Sequence, residues 1–473
     1  MSTTDAPAKD QKVSLPTLTA MVVGSMIGSG VFLLPRRFGT ETGVLGAIIA
    51  WTIAGAGMLM LAFVFQRLAM RKPDLDAGIF AYAKAGFGDY VGFNSAIGYW
   101  ASACAGNTSY WVLITATMSA VFPAFGAGDT VLAVVVSLVG VWLFCYLVSR
   151  GVKDAAVINY IVTVAKVVPI LMFIVIAIIA FKADVFADNF WGGDDYSFSS
   201  IWDQATGTML ITVFVFLGIE GASVYSRMAR KREDVGRATV IGFLSVLSVF
   251  AMVTLVSYGV MPQDELAEIS QPSMAAVLES IVGPWGSIFI RVGVIVSVLG
   301  AYLAWTLMAA EVLFIPATTD DMPKFLARTN RHNAPLPALV MAAGLTSMLL
   351  IALLFASDAL DFMLDLTAAL SLIPYLLAAA YALKLAIEVN SRAGQLVVPA
   401  LATVYTLFLI YAAGFDKLLL SCLLYAPAAA LYVKARRERE LRVFRPWEAV
   451  LFGIIVLGAI AAVVALATGA IEI

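Results

Sequence analysis

The chain has 473 residues, 61% of them hydrophobic and 13% charged, with a formal net charge of -2 and a mean hydropathy of +0.92. No soluble domain buries that much apolar surface, so the sequence reads as an all-α polytopic membrane protein; nucleic-acid binding has almost no cationic surface to use. Cys104, Cys145 and Cys422 sit in apolar runs without ligand spacing and His332 is the single histidine, which argues against a disulfide scaffold, a metal or cofactor centre, Ser/His/Asp catalysis and enzymatic activity in general.

After a polar tail, the first apolar run extends from about Leu15 to Pro35 and carries Gly28, Ser29 and Gly30 in its middle. Glycine there weakens a helix. Two readings compete: small residues that let helices approach closely, or a span broken into two half-helices around a cavity. A break would leave free carbonyls at the end of the first half and free N–H groups at the positive end of the second, one attracting an amine and the other a carboxylate. Further spans are expected at about 43–65, 92–121, 131–149, 155–181, 205–226, 238–260, 286–314, 336–355, 360–386, 396–413, 418–433 and 449–467, about thirteen in all.

The basic residues support that count. Those of the tail and of alternate loops, from Arg67, Arg71, Lys72 and Lys84 to Lys434, Arg436, Arg437, Arg439, Arg442 and Arg445, fall on one side. Of the 30 Lys and Arg, only Arg36, Arg37, Lys182 and Lys417 fall opposite, and Lys166 and Arg291 lie within spans. The positive-inside rule then puts the N-terminus in the cytoplasm and, with an odd count, the C-terminus outside. The opposite loops carry Asp184, Asp188, Asp194, Asp195 and Asp203, then Asp264, Glu265 and Glu268. They form either an acidic vestibule that gathers cations or plain solvated loops.

The sixth span contains a second glycine-interrupted stretch, Phe214-Val215-Phe216-Leu217-Gly218-Ile219-Glu220-Gly221, with a carboxylate at its centre. It lies five spans after the first. Because five is odd, a repeat of that length is inverted in the membrane and sets the two interrupted helices face to face near the midplane. A charge at the centre of a span costs about 2.5–3.5 kcal/mol, so Glu220 and Lys166 need partners or functions. Lys166 either donates to carbonyls of a broken helix or joins a local ion pair.

The stretch ending at Pro35, the Phe214–Ser223 segment and the loop from Pro73 to Tyr82 resemble the amino acid–polyamine–organocation transporters, over about spans one to ten. Within them, Gly24-Ser25-Met26-Ile27-Gly28, Tyr82-Ala83-Lys84-Ala85-Gly86-Phe87-Gly88-Asp89-Tyr90, Gly218-Ile219-Glu220-Gly221-Ala222-Ser223 and Pro272-Ser273-Met274-Ala275-Ala276-Val277-Leu278-Glu279 are similar to basic amino acid/polyamine antiporters of the arginine/ornithine kind. The resemblance implies a five-plus-five inverted-repeat (LeuT-type) core with helices 1 and 6 broken. Residues 1–14 would be the cytoplasmic tail, 15–182 the first repeat, 183–392 the second with its preceding external loop, and 393–473 the added helices 11–13. A thirteenth span departs from the twelve usual in arginine/agmatine antiporters.

The same resemblance implies a site. The substrate carboxylate would rest at Ser29 and Gly30, with Ser25, Met26 and Gly28 beside it and the amine at carbonyls near Met26 and Phe214. Leu217 and Gly218 belong to the second break. Ser102, Ala103, Asn107 and Tyr110 would form the side-chain pocket, Trp305 the cation-binding ring and Thr367 a hydroxyl contact. Phe214 stands where the family usually has a tryptophan lid. Tyr99, Phe214, Glu220 and Lys166 would gate or couple, Lys166 occupying the place of sodium in other members of the fold. Cation–π attraction of up to about 2 kcal/mol and a helix terminus of up to about 2 more suit micromolar to millimolar binding from which a substrate can leave. The expectation is alternating-access exchange of arginine for ornithine in a bacterial inner membrane, by a chain whose partners are its amino acid substrates, the lipid bilayer and at most a second copy of itself. Its rivals are proton-coupled uptake or exchange of another cationic amino acid or polyamine such as lysine, agmatine, putrescine or histidine, a membrane enzyme, and a receptor.

Overall fold

Long apolar runs punctuated by glycine and proline fold, among the described residues, into helices without strands. The computed structural model describes residues 14–72, 75, 78–151, 155–193, 197–220, 231–356, 358–389 and 392–471, without the side chains of 155–161 and 232–233. The order is α1 (Leu15–Met26), a 3₁₀ turn (Gly30–Leu33), α2 (Leu34–Glu41), α3 (Val44–Arg71), α4 (Ile79–Phe87), α5 (Asp89–Met118), α6 (Val131–Ser149), α7 (Ala155–Ile179), α8 (Ala183–Asp188), α9 (Phe198–Gly207) and α10 (Met209–Phe216). There follow α11 (Arg232–Ser257), α12 (Gln263–Glu268), α13 (Ser273–Val282), α14 (Pro284–Thr318), α15 (Leu336–Ala352), α16 (Ala359–Glu388), α17 (Ala393–Arg437) and α18 (Pro446–Ala467).

Among the described residues nine helices are long and apolar enough to cross a membrane, and the α1/α2 pair, bent by 49° at its break, makes a tenth. The chain is an integral membrane protein. The first apolar run does not stop at Pro35: proline suits the first turn of α2, and the helix continues to Glu41. The run expected at 205–226 is not one helix either. It divides into α9 and α10, which meet at Thr208, and α10 gives way to turns at 217–220. The rest of that stretch, with Gly221, Ala222 and Ser223, lies outside the described residues, as do Pro73, Asp74, Asp76 and Ala77 of the loop motif, Asp194 and Asp195, and the basic residues Lys9, Lys12, Lys153, Arg227 and Arg230.

Two spans expected at 396–413 and 418–433 occur as the 45-residue α17, whose Gly414 has φ 78° and ψ 163°. At 1.5 Å per residue a helix of that length would measure roughly twice the hydrocarbon thickness, and this break divides it into two span-length pieces. Glycine is needed there because φ is positive.

The frame is built around α5, which is buried on nearly every side from Tyr90 to Thr117 and packs against α4, α14, α15 and α16. Ion pairs fasten both ends of the bundle. At the end where α16 begins, Arg37 reaches Asp361 (3.2 Å) and Asp365 (2.5 Å), Lys417 approaches Asp365 (3.9 Å), and Arg36 meets Asp358 (3.4 Å). Three of the four basic residues assigned to the cation-poor side are therefore charge-matched by one acidic helix end. At the other end Lys84 pairs with Asp321, Arg436 with Asp89 (3.1 Å) and Arg439 with Asp320 (2.9 Å), while Glu438 accepts the Lys324 N–H (2.8 Å). These contacts tie the tail of α17 to the start of α5 and to the segment after α14.

Candidate functional site

The site forms where the two glycine breaks touch. α1 ends at Met26, Ile27 turns to extended backbone (ψ 99°), and the helix resumes at Gly30. A Cβ on Gly30 would lie 2.5 Å from Val215 Cγ1 and 3.0 Å from Phe214 Cδ1, so only glycine admits α10 there. Gly218 has φ 101°, and a Cβ on it would strike the Ser25 carbonyl oxygen. The glycines thus do two jobs, ending the helices and letting the exposed peptide groups of both breaks meet.

Between the breaks lies a chamber with about 20 Å³ of free volume, room for about one water. Ser25, Met26, Gly28, Ser29 and Gly30 form its wall from the first break, and Phe214 and Leu217 form it from the second. Ser102 and Tyr110 of α5, Trp305 of α14 and Thr367 of α16 complete it. Eleven of the fourteen expected substrate-contact residues therefore line one space. Gly218 stands behind the wall, and its N–H donates to Glu220 Oε2 (3.2 Å). Ala103 and Asn107 are absent from the wall. Ser102, Gly106 and Tyr110 recur every four residues on the chamber stripe of α5, and Ala103 and Asn107 follow one position round the helix. Asn107 is buried, and its Oδ1 has no hydrogen-bond partner among the described residues. Val31, Gly106, Val215 and Phe250 also line the chamber and were not anticipated. Tertiary packing brings them in, and no polar or glycine-cluster signal marks them individually.

The hydroxyls of the wall are partly committed. Ser102 Oγ donates to the Thr367 carbonyl (2.7 Å), Thr367 Oγ1 to the Met363 carbonyl (2.6 Å) and Ser25 Oγ to the Val22 carbonyl (2.8 Å). Their lone pairs remain as acceptors. Among the described residues no carboxylate lines the chamber, so a cationic group there meets the Trp305 ring, carbonyls and hydroxyl oxygens.

Glu220 is buried just beyond Gly218 and accepts from the Tyr99 hydroxyl, the Tyr375 hydroxyl (2.7 Å) and the Gly218 N–H. Tyr99 also contacts Met308 Sδ (3.3 Å), and its ring lies 6.4 Å from that of Trp305. One carboxylate thereby links the second break to α5, α16 and the aromatic wall of α14. The sequence marked Tyr99 but passed over Tyr375, which directly follows Pro374 inside α16.

Lys166 is buried on the far side of α1, in a separate cleft of about 510 Å³ walled by α1, α7 and α11, and its Nζ donates to the Gly24 carbonyl (3.4 Å). It therefore meets the first broken helix from behind, near that helix's free carbonyl end, and does not enter the chamber. Among the described residues no group of three or more His, Cys, Asp or Glu gathers to hold a metal ion.

The chain is similar to known proteins over nearly its whole length. A family model described as amino acid permease matches residues 13–419. A protein of Pseudomonas aeruginosa named arginine/ornithine antiporter is 47% identical over 97% of this chain and 98% of its own length, and one of Corynebacterium glutamicum named L-lysine transport protein is 38% identical over 99% and 98%. A solved Na⁺-coupled sialic acid symporter, in a substrate-bound outward-open state, superposes with a TM-score of 0.53 at 13% identity, covering 88% of this chain and 93% of that one, a likeness of fold alone. With a matching model over most of its length and full-length relatives, the chain belongs to the amino acid permease family.

Proposed function

We propose that the protein is an antiporter that exchanges arginine for ornithine across a bacterial cytoplasmic membrane by alternating access. The observation that carries this reading is the chamber between two apposed helix breaks, lined by hydroxyls, peptide groups and the Trp305 ring. The substrate carboxylate binds at the start of the second half-helix, at Ser29 and Gly30, and the amine at carbonyls near Met26 and Phe214. The side chain lies toward Ser102, Tyr110, Trp305 and Thr367, with Ala103 and Asn107 reached after a small rotation of α5. The near-identical length and 47% identity of the Pseudomonas relative support arginine and ornithine as the pair. The Corynebacterium relative supports lysine or another cationic amino acid as the second reading.

The chamber's size requires movement. Ligand sites commonly hold about 300–1,000 Å³, so about 20 Å³ is a closed arrangement. Phe214 and Trp305 must withdraw to admit an amino acid. In this reading Glu220 is the latch: the Tyr99, Tyr375 and Gly218 donors hold the second break against α5 and α16 until substrate redistributes them. Lys166 steadies the end of α1 from outside the chamber, where a sodium-coupled carrier of this fold would place its ion. The proposed topology is thirteen spans, ten of them in two inverted five-helix repeats, with the N-terminus inside.

Labelled arginine entry into proteoliposomes preloaded with ornithine, lysine, agmatine or nothing tests the reading. Ornithine-loaded vesicles should take up arginine at least about tenfold faster than empty ones at clamped pH, because an empty carrier reorients poorly. Equal entry into empty vesicles, driven by a proton gradient, would replace exchange by symport.

A further inference from the structure

The last two helices carry a cleft that the transport reading does not use. α18 packs chiefly along α17, and a groove of about 770 Å³ opens between them toward the outside of the bundle. Its floor is shallow because α17 presents Ala426, Ala429 and Ala430, and Phe452 of α18 closes one flank. Lys434 and Arg437 stand at one end, on the same exposed stripe as Ala430. Their neighbours Arg436 and Arg439 are consumed by Asp89 and Asp320, and Glu438, at the groove's end, is engaged by the Lys324 N–H. Lys434 lies over the Phe325 ring at 4.6 Å, and with Arg437 it sets two cations against the one carboxylate of Glu438, so the groove's end is net positive. An apolar trough with cations at one end, on the outer surface of a membrane protein and on its cation-rich side, has the pattern of an anionic lipid and its acyl chain.

We infer that this groove is a binding site for an anionic phospholipid, whose phosphate pairs with Lys434 and Arg437 and whose acyl chain lies over Ala430 against Phe452. A second copy of the chain is a poorer occupant. A two-fold contact at this end of the groove would bring its own Lys434 and Arg437 toward these two, like charge against like, whereas a phosphate neutralises them. Soluble phosphate lacks the chain that the apolar floor fits.

Native mass spectrometry of the full-length protein, purified in mild detergent and titrated with phosphatidylglycerol, tests the site. Each basic residue near a membrane surface attracts an anionic lipid by a factor of roughly five, so Lys434→Ala/Arg437→Ala should weaken the tightest lipid adduct by more than about tenfold. Ala430→Trp, which fills the trough and leaves both charges, should remove the same adduct; the residue is exposed and its replacement leaves the core untouched. Arg71→Ala/Arg392→Ala, exposed cations that do not line the groove, should retain it within about twofold. Phosphatidylcholine and millimolar glycerol phosphate should neither bind nor compete. Equal adducts in all variants would overturn the site. Displacement by glycerol phosphate would reduce it to an anion contact, and a dimer mass lost on Ala430→Trp would make the groove an interface between copies; either result also refutes the lipid.

Discussion

Replacing Gly218 by alanine isolates the contact between the two breaks. Alanine at φ 101° is strained, by about 1–3 kcal/mol for a non-glycine residue held in a sparsely populated region. Its methyl would also run into the Ser25 carbonyl oxygen and lie 3.0 Å from the carbonyl carbon, a backbone neighbour that cannot rotate aside, and overpacking of this kind costs about 1–3 kcal/mol. Together these oppose the apposed arrangement by about 2–6 kcal/mol, so a cycle that must pass through it should slow by about 30-fold or more. Gly24→Ala is the matched control, one turn from the break with nothing within 4 Å of the added methyl, and it should stay within about twofold. The assay is arginine–ornithine exchange in proteoliposomes, with a thermal melt of each purified variant to establish folding. A Gly218→Ala protein that melts and exchanges like the parent would refute the claim that the breaks must meet for transport.

Three further outcomes follow from the same geometry. Trp305→Ala removes the only ring of α14 that faces the chamber and should cost at least about tenfold in exchange, since a desolvated cation–π contact is worth up to about 2 kcal/mol, with no loss of monodispersity; near-normal turnover would remove Trp305 from the site. Glu220→Gln puts an amide donor among the Tyr99, Tyr375 and Gly218 donors, and the resulting unsatisfied group should cost about 1–3 kcal/mol, read as a lower melting temperature together with slower exchange; Tyr375→Phe, which removes one donor and keeps the carboxylate, should be milder. Arg37→Ala deprives two largely buried carboxylates of their near partner, leaving Asp365 the 3.9 Å approach of Lys417, and should destabilise the protein by about 3 kcal/mol, with Asp361→Asn and Asp365→Asn recovering much of the loss in thermal unfolding; no recovery would show that Arg37 acts by packing alone.

How much of this was legible in the sequence depends on where the information sits. Gly28, Gly30 and Gly218 are local signals, because glycine in the middle of an apolar run needs a reason, and both breaks occur at those residues. Glu220 was conspicuous for a related reason: a carboxylate in a span must be satisfied. Its satisfaction was not readable, since Tyr375 comes from 155 residues further along the chain. The rotation of α5 was equally hidden. Helical phase is read from an apolar stripe, but α5 is buried almost all round, so no polar face tells which of Gly106 and Asn107 turns to the chamber. Charge placement suggested sides without pairings, so Arg36, Arg37 and Lys417 read as exceptions until Asp358, Asp361 and Asp365 supplied the counter-charges.

The fastening at the foot of α17 bears on how the chain can be shortened. Arg436 and Arg439 lie beyond residue 392, yet their counter-ions begin the helix that carries Ser102 and follow the one that carries Trp305. Cutting the gene there would leave Asp89 with the 3.9 Å approach of Lys84 and release Asp320, so the shortened product should melt below the full-length carrier. Grafts that import the late helices from a relative need matching acids at positions 89 and 320, which makes those two aspartates the seam along which this architecture is stitched.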